Sequence, residues 1–264
     1  MNRIRLLLIY GWYVLRIIIC IPVLPIIYYL GVTIKRGIPD LPEASRNIKG
    51  SSGNDDGKKL LLIGESSISA VGIEDHEDGI PGEIGRIMAR QCGQSIRWEI
   101  VAKSGFRAID VIEKLLPNLP RSSADLLIVG MGGNDTFKLT PPWVWRKNMK
   151  IIIRELRTKY PGRKLLICAM PPVADFPVFP GILKSFMGGH TNILRNSIRD
   201  FPSRFEDVFY LADKVRMKEW LSEENSMDMA DFFSDGVHPS ALTYQLIGRA
   251  IASKIIDNNL LTAD

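Results

Sequence analysis

Asp235 and His238 stand three residues apart in the segment Ser234-Asp235-Gly236-Val237-His238-Pro239-Ser240. At that spacing one turn can carry both groups, so that the carboxylate orients the imidazole and stabilises its protonated form. Such a pair is a general base for chemistry near neutral pH, suited to activating a weak nucleophile. A nucleophile candidate lies near the other end of the chain, in Gly64-Glu65-Ser66-Ser67. The block directly follows an apolar run. A tight strand-to-helix turn there would present a hydroxyl at the sheet edge, beside backbone N–H groups that favour negative charge. Helix capping explains a serine at this place equally well. The other two histidines differ from His238. His76 sits in a charged loop and reads as solvated, while His190 follows Gly188-Gly189 near an expected helix start.

Attack on an acyl carbon builds an oxyanion, which needs preorganised donors. Ser104-Gly105 offers a backbone that can approach a substrate closely, and Gly132-Gly133-Asn134-Asp135 offers the side-chain amide of Asn134. Both blocks are also built from ordinary turn residues. Phe106, Met131 and Phe137 flank them and could supply apolar substrate-binding surface. Other constellations are missing. Ile68 stands where a Gly-x-Ser-x-Gly elbow would have its second glycine. There is no phosphate-binding Walker loop, dinucleotide fingerprint or His-Glu-x-x-His zinc motif. Cys20, Cys92 and Cys168 are scattered without metal-ligand spacing. No metal or cofactor is implied.

The elements that must position these groups alternate. Apolar runs at Lys59–Gly64, Arg97–Ala102, Asp125–Gly130, Lys164–Ala169 and Asp207–Leu211 read as buried strands. Helical patterns fall between and after them, at Pro81–Cys92, Ala108–Leu116, Pro142–Tyr160, about His190–Arg199 and Ser240–Asn258. This alternation predicts one α/β domain with a mainly parallel sheet. Chemistry in such sheets gathers beyond the carboxyl ends of strands, where the Gly64, Gly105 and Gly132 blocks all fall.

In this order the four blocks resemble the SGNH hydrolases, also called GDSL esterases and lipases. That family carries a Gly-Asp-Ser block, an isolated Gly, a Gly-x-Asn-Asp block and a C-terminal Asp-x-x-His block. Here they read Gly64-Glu65-Ser66, Gly105, Gly132-Gly133-Asn134-Asp135 and Asp235-Gly236-Val237-His238. The resemblance covers about Leu60 to Ile256. It implies Ser66 as nucleophile in preference to Ser67, His238 as base and Asp235 as its partner. It also implies an oxyanion hole from the Ser66 and Gly105 N–H groups and the Asn134 amide, on a flavodoxin-like three-layer α/β/α sandwich. Glu65 departs from the family's usual Asp, which bears on local geometry more than on mechanism.

The N-terminal part has a different character. Ile17 to Ile34 is 18 residues without a charge, flanked by Arg16 and by Lys35-Arg36, with Tyr10, Trp12, Tyr13, Tyr28 and Tyr29 placed as interfacial aromatics are. A single membrane-spanning anchor is the favoured reading. An in-plane or hairpin insertion is motivated by Arg16, Pro22 and Pro25, and a cleaved signal would need an A-x-A-like site of small residues, a pattern that Thr33–Asp40 does not offer. Basic residues at both ends leave the orientation unread. The expected organisation is a membrane anchor over residues 1–36, a flexible Gly/Ser/Pro-containing linker over 37–58, and the hydrolase domain over 59–264.

The net charge of +5 does not point to nucleic acid, because Lys147, Lys150, Arg154, Arg157, Lys159 and Arg163 are spread along one expected helix and its end, with Glu155 among them. They read as a solvated face that also suits anionic lipid headgroups. The long apolar segment Met170–Gly189 could wall the crevice over an acyl chain. Taken together, the expected partner is a lipid or other small acyl ester near a membrane. An acyltransferase or glycan O-deacetylase on the same residues, and a non-catalytic binding module, are the alternatives. The sequence does not speak to oligomeric state.

Overall fold

Leu60-Leu61-Leu62-Ile63 is buried at every position, as a central parallel strand covered on both faces must be. The computed structural model describes residues 3–53, 56–121, 123–211 and 228–261. Six strands form one sheet: β1 (Lys49–Ser52), β2 (Lys58–Gly64), β3 (Ile96–Ala102), β4 (Leu126–Gly130), β5 (Lys164–Ile167) and β6 (Val208–Tyr210). Their order is β1-β3-β2-β4-β5-β6. All neighbours pair in parallel except β1, which runs antiparallel along the edge of β3. Leaving β1 aside, this is the flavodoxin-like order. Its topological switch point lies at β2, which pairs with β3 on one side and β4 on the other.

Helices cover both faces. α3 (Ile80–Cys92) and the C-terminal α8 (Ala241–Asp257) lie on one side, where Leu60 and Leu62 meet Ile84, Met88, Tyr244 and Ile251. On the other side lie the short α4 (Ala108–Asp110), which continues through a π turn and a 3-10 turn to Asn118, then α5 (Gly133–Phe137), α6 (Pro142–Lys159) and α7 (Gly181–Ile198). There Leu61 and Ile63 meet Trp145, Met149 and Ile152. Alternate side chains of one strand thus feed two cores, giving the three-layer sandwich.

Three local expectations change. His76 is 1% exposed rather than solvated, because its loop folds back on the chain before β1, with the His76 N–H on the Arg46 carbonyl at 3.2 Å. α7 begins at Gly181, well before the expected start near His190. Gly188 is there a packing residue and not a breaker, since a Cβ on it would lie 2.6 Å from Ala174 Cβ. His190 is fully buried within α7, and burial, with Arg16 adding to it, holds its imidazole down to about 4. Finally, within the segment expected to be flexible, β1 joins the sheet and Trp98 Nε1 donates to the Asn47 carbonyl at 2.8 Å. Asn54 and Asp55 of that segment lie outside the described residues.

The N-terminal apolar stretch is helical: α1 (Arg3–Cys20) and α2 (Leu24–Gly37) are joined by a 3-10 turn at Ile21–Val23, where Pro22 and Pro25 interrupt the backbone ladder. It is long and apolar enough to cross a membrane, as a signal sequence also is. The helices do not stand clear of the domain. Tyr10 and Tyr13 stack edge-on against Trp143 with centroids 5.7 and 5.4 Å apart, and Arg16 donates to the Ser185 and Phe186 carbonyls at 3.0 and 2.5 Å. Ile27 is 5% exposed, packed with Phe176, Phe179 and Leu183.

Candidate active site

Gly64 and Gly130 are register partners at the carboxyl ends of β2 and β4. A Cβ on Gly64 would stand 2.0 Å from the Gly130 carbonyl oxygen, so the two strand ends approach as only glycine permits. The chain then turns. Ile68 and Ser69 donate to the Glu65 carbonyl at 2.9 Å each, and Val71 donates to the Ser66 carbonyl at 3.2 Å. The regular helix starts only at Ile80, so Ser66 sits in a turn and not at a helix N-terminus. Ala70 and Gly72, at φ +53° and +92°, keep the turn from continuing as a helix.

Asp235 and His238 are carried by a loop closed by an antiparallel bridge between Phe233 and Pro239, with the Ser234 N–H on the His238 carbonyl at 2.8 Å. Gly236, at φ +84°, makes the tight reversal, and a Cβ on it would meet Val178 Cγ1 at 2.2 Å. Asp235 Oδ2 lies 2.6 Å from His238 Nδ1, while Oδ1 accepts the Val237 and His238 N–H groups at 2.9 and 2.7 Å. Burial works against the ionised carboxyl, but the His238 side chain and these two N–H donors hold it below its ordinary range. The pair can therefore orient an imidazole with Nε2 free for proton transfer.

Glu65 is 1% exposed. Its Oε1 accepts the Gly133 N–H at 2.6 Å, and its Oε2 accepts the Asn134 N–H at 3.0 Å and the Asn134 side-chain amide at 2.7 Å. Burial pushes the carboxyl up to about 7 against the pull of those donors. The Asn134 amide also donates, more weakly, to the Phe106 carbonyl at 3.3 Å. Ser66, Ser67, Gly105, Asn134 and His238 all line one cavity of about 1440 Å³. Ser66 and His238 share that space without a hydrogen bond between their side chains. Among the described residues, no cluster of acidic, His or Cys side chains could hold a metal ion.

The sequence model of the GDSL-like Lipase/Acylhydrolase family matches residues 62–246, which takes in all four blocks. The chain belongs to this family. No curated protein matches it. Crystal structures of TesA, of the acetyl xylan esterase AlAXEase and of the lipase/acylhydrolase from Enterococcus faecalis share its fold, at 16%, 15% and 15% identity and TM-scores of 0.57, 0.56 and 0.52. They cover 75%, 75% and 76% of this chain, and the match spans 98%, 99% and 96% of theirs. As a member of the GDSL-like family the protein is a hydrolase.

The GDSL-type cavity does not take in every residue expected of it. Phe137 lines it, but Met131 is 3% exposed within the core beneath α6. Phe106 packs against that same core, and its ring faces Lys114 Nζ at 4.9 Å. Both follow strand ends, yet their side chains point into the layer below the cavity. Phe176, Phe179 and Leu183, from the long apolar segment, do line it. Two contributions lay outside the sequence reading. Glu43 accepts the Ser104 N–H at 2.5 Å and pairs with Lys103 at 2.9 Å, so it fixes the turn carrying Gly105. Leu24, Ile27, Gly31 and Ile34 of α2 also line the cavity. Glu43 sits in a stretch without apolar periodicity. The α2 residues were hidden by a pattern that reads as membrane-facing on all sides.

Proposed function

We propose that this GDSL-family hydrolase is a serine esterase acting on acyl esters at a membrane, with Ser66 as nucleophile, His238 as general base and Asp235 as the residue that orients it. The observation that carries the reading is the 2.6 Å Asp235–His238 pair opening on the same cavity as Ser66, Gly105 and Asn134. Ser66 Oγ attacks the ester carbonyl carbon as its proton passes to His238 Nε2. The tetrahedral oxyanion takes the Ser66 and Gly105 N–H groups and the Asn134 amide, whose long bond to the Phe106 carbonyl is the one it gives up. Collapse expels the alcohol with the His238 proton, and water, activated by the same imidazole, then releases the acid. The apolar N-terminal helices hold the domain at the membrane. A fluorophosphonate probe on the full chain tests the reading: labelling should map to Ser66 and vanish in Ser66→Ala while persisting in Ser67→Ala. Labelling that follows Ser67 would move the nucleophile, and no labelling of any variant would remove the esterase assignment.

A further inference from the structure

We infer that α2 is a wall of the substrate site, so that the acyl chain of a long-chain ester lies between this helix and the aromatic cluster of the domain. The inference rests on the esterase reading above and specifies its substrate class. The cavity that holds Ser66 and His238 also takes in Leu24, Ile27, Gly31 and Ile34 of α2. Its volume of about 1440 Å³ exceeds the range of roughly 300–1,000 Å³ that encloses most small ligands, and an acetyl group would leave it nearly empty.

The apolar surface starts beside the reacting groups. Phe137 follows Asn134 by three residues on α5, and its ring lies 6.2 Å from both Phe176 and Phe179. Val237, next to His238, packs against the same cluster, and Ile27 is buried in it. No break separates the catalytic end of this surface from the helix. At the same time α2 turns Ile26, Tyr28 and Tyr29 outward, 53%, 75% and 69% exposed, and Tyr28 lies at the cavity's border. An acyl chain leaving a bilayer along the outward face would therefore meet the mouth of the cavity without crossing water. Each methylene it buries against apolar walls contributes about fourfold in binding, so a longer chain gains what a short one cannot.

Gly31 provides the test. It lines the cavity, and a Cβ built on it meets nothing within 4 Å, so a larger side chain is accommodated by the helix and occupies the groove. The full chain in phosphatidylcholine nanodiscs should hydrolyse p-nitrophenyl laurate with a higher kcat/KM than p-nitrophenyl acetate. Gly31→Phe should lower the laurate-to-acetate ratio of kcat/KM at least tenfold, and Ile26→Phe, on the outward face, should leave that ratio unchanged. An unchanged laurate-to-acetate ratio in Gly31→Phe overturns the inference while the esterase reading stands. If no variant hydrolyses either ester, the esterase reading fails, and a diazirine-bearing lauric acid still decides the groove. Photocrosslinks on the Leu24–Gly37 peptide that Gly31→Phe suppresses support it, and equal yields in both proteins overturn it.

Discussion

The side-chain amide of Asn134 donates to Glu65 Oε2 at 2.7 Å, and the backbone N–H groups of Gly133 and Asn134 bring the same carboxylate two further bonds, at 2.6 and 3.0 Å. Glu65 is thus the clamp that fixes Asn134 relative to Ser66, its chain neighbour. Glutamate has one methylene more than the aspartate usual at this place in the family, and the three bonds are made at that length. Glu65→Asp should withdraw the carboxylate from at least one of the three donors. We expect kcat to fall by about 10–100-fold, on the order of one to two buried donors left unsatisfied, with KM little changed. Steady-state kinetics on a soluble ester check the split.

Glu65→Gln makes a pH prediction. With its carboxyl pushed up to about 7 by burial, the folded protein keeps a proton that the unfolded chain gives up near 4.5. Protons are then bound in excess by the folded state between those values, so this group's contribution to stability declines as pH rises from about 4.5 to about 7. Glutamine lacks that titration. Urea midpoints at pH 4.5, 6 and 7.5 should show the parent's advantage over Glu65→Gln narrowing with pH. A widening advantage would mean that the three N–H donors outweigh burial and the carboxyl stays ionised.

Asp235→Asn separates orientation from charge. The amide can still accept the Val237 and His238 N–H groups, but it presents no charge to the imidazolium and can favour the wrong tautomer. A loss of roughly 10⁴-fold in kcat is expected on the precedent of buried aspartate–histidine pairs. Stability carries a second signature. Because the folded carboxyl lies below its ordinary value of 3.8, its stabilising effect is present above that pH and is lost as pH falls through the lower folded value. The stability gap between parent and Asp235→Asn should therefore be open at pH 7 and shrink below about 3.8. A gap of constant size would assign Asp235 a packing role alone.

The sequence carries the sheet well because each parallel strand is a short, mainly apolar run ending at a glycine or beside a turn, a pattern that leaves little choice. It carries the Asp235–His238 pair for a similar reason: the two groups are local, and the Gly236 reversal is written between them. What it does not carry is non-local. Met131 and Phe137 flank the same Gly-Asn block, yet only a knowledge of strand twist and layer sends Met131 under α6 and Phe137 into the cavity. Glu43 lies 61 residues from Ser104 in a stretch that composition marks as flexible. α2 misleads most, since its run of isoleucine, leucine and tyrosine satisfies the rules for lipid contact on every face. That Ile27 packs on Phe176 and Phe179 emerges only when the domain is placed beside it.

The glycine pair beneath the site yields the last prediction. A Cβ on Gly64 would meet two things, the Gly130 carbonyl oxygen at 2.0 Å and Ile68 Cγ1 at 2.8 Å. A Cβ on Gly130 would meet chiefly Ile68, at Cδ1 2.6 Å and Cγ1 2.7 Å. A side chain can change rotamer, but the Gly130 carbonyl is fixed by the Glu65 N–H it accepts at 3.2 Å. Gly64→Ala must therefore push β2 away from β4 and carry Glu65 and Ser66 with it. We expect a loss of about 3 kcal/mol or more, at the upper end for overpacked sites, with a large fall in kcat. Gly130→Ala should cost nearer 1–2 kcal/mol. The discriminating experiment adds Ile68→Ala to each. Ile68→Ala should recover much of the stability and activity of Gly130→Ala and little of Gly64→Ala, because only in the second is backbone the obstacle. Equal recovery in both would show that Ile68, and not the close approach of the two strand ends, sets the position of Ser66.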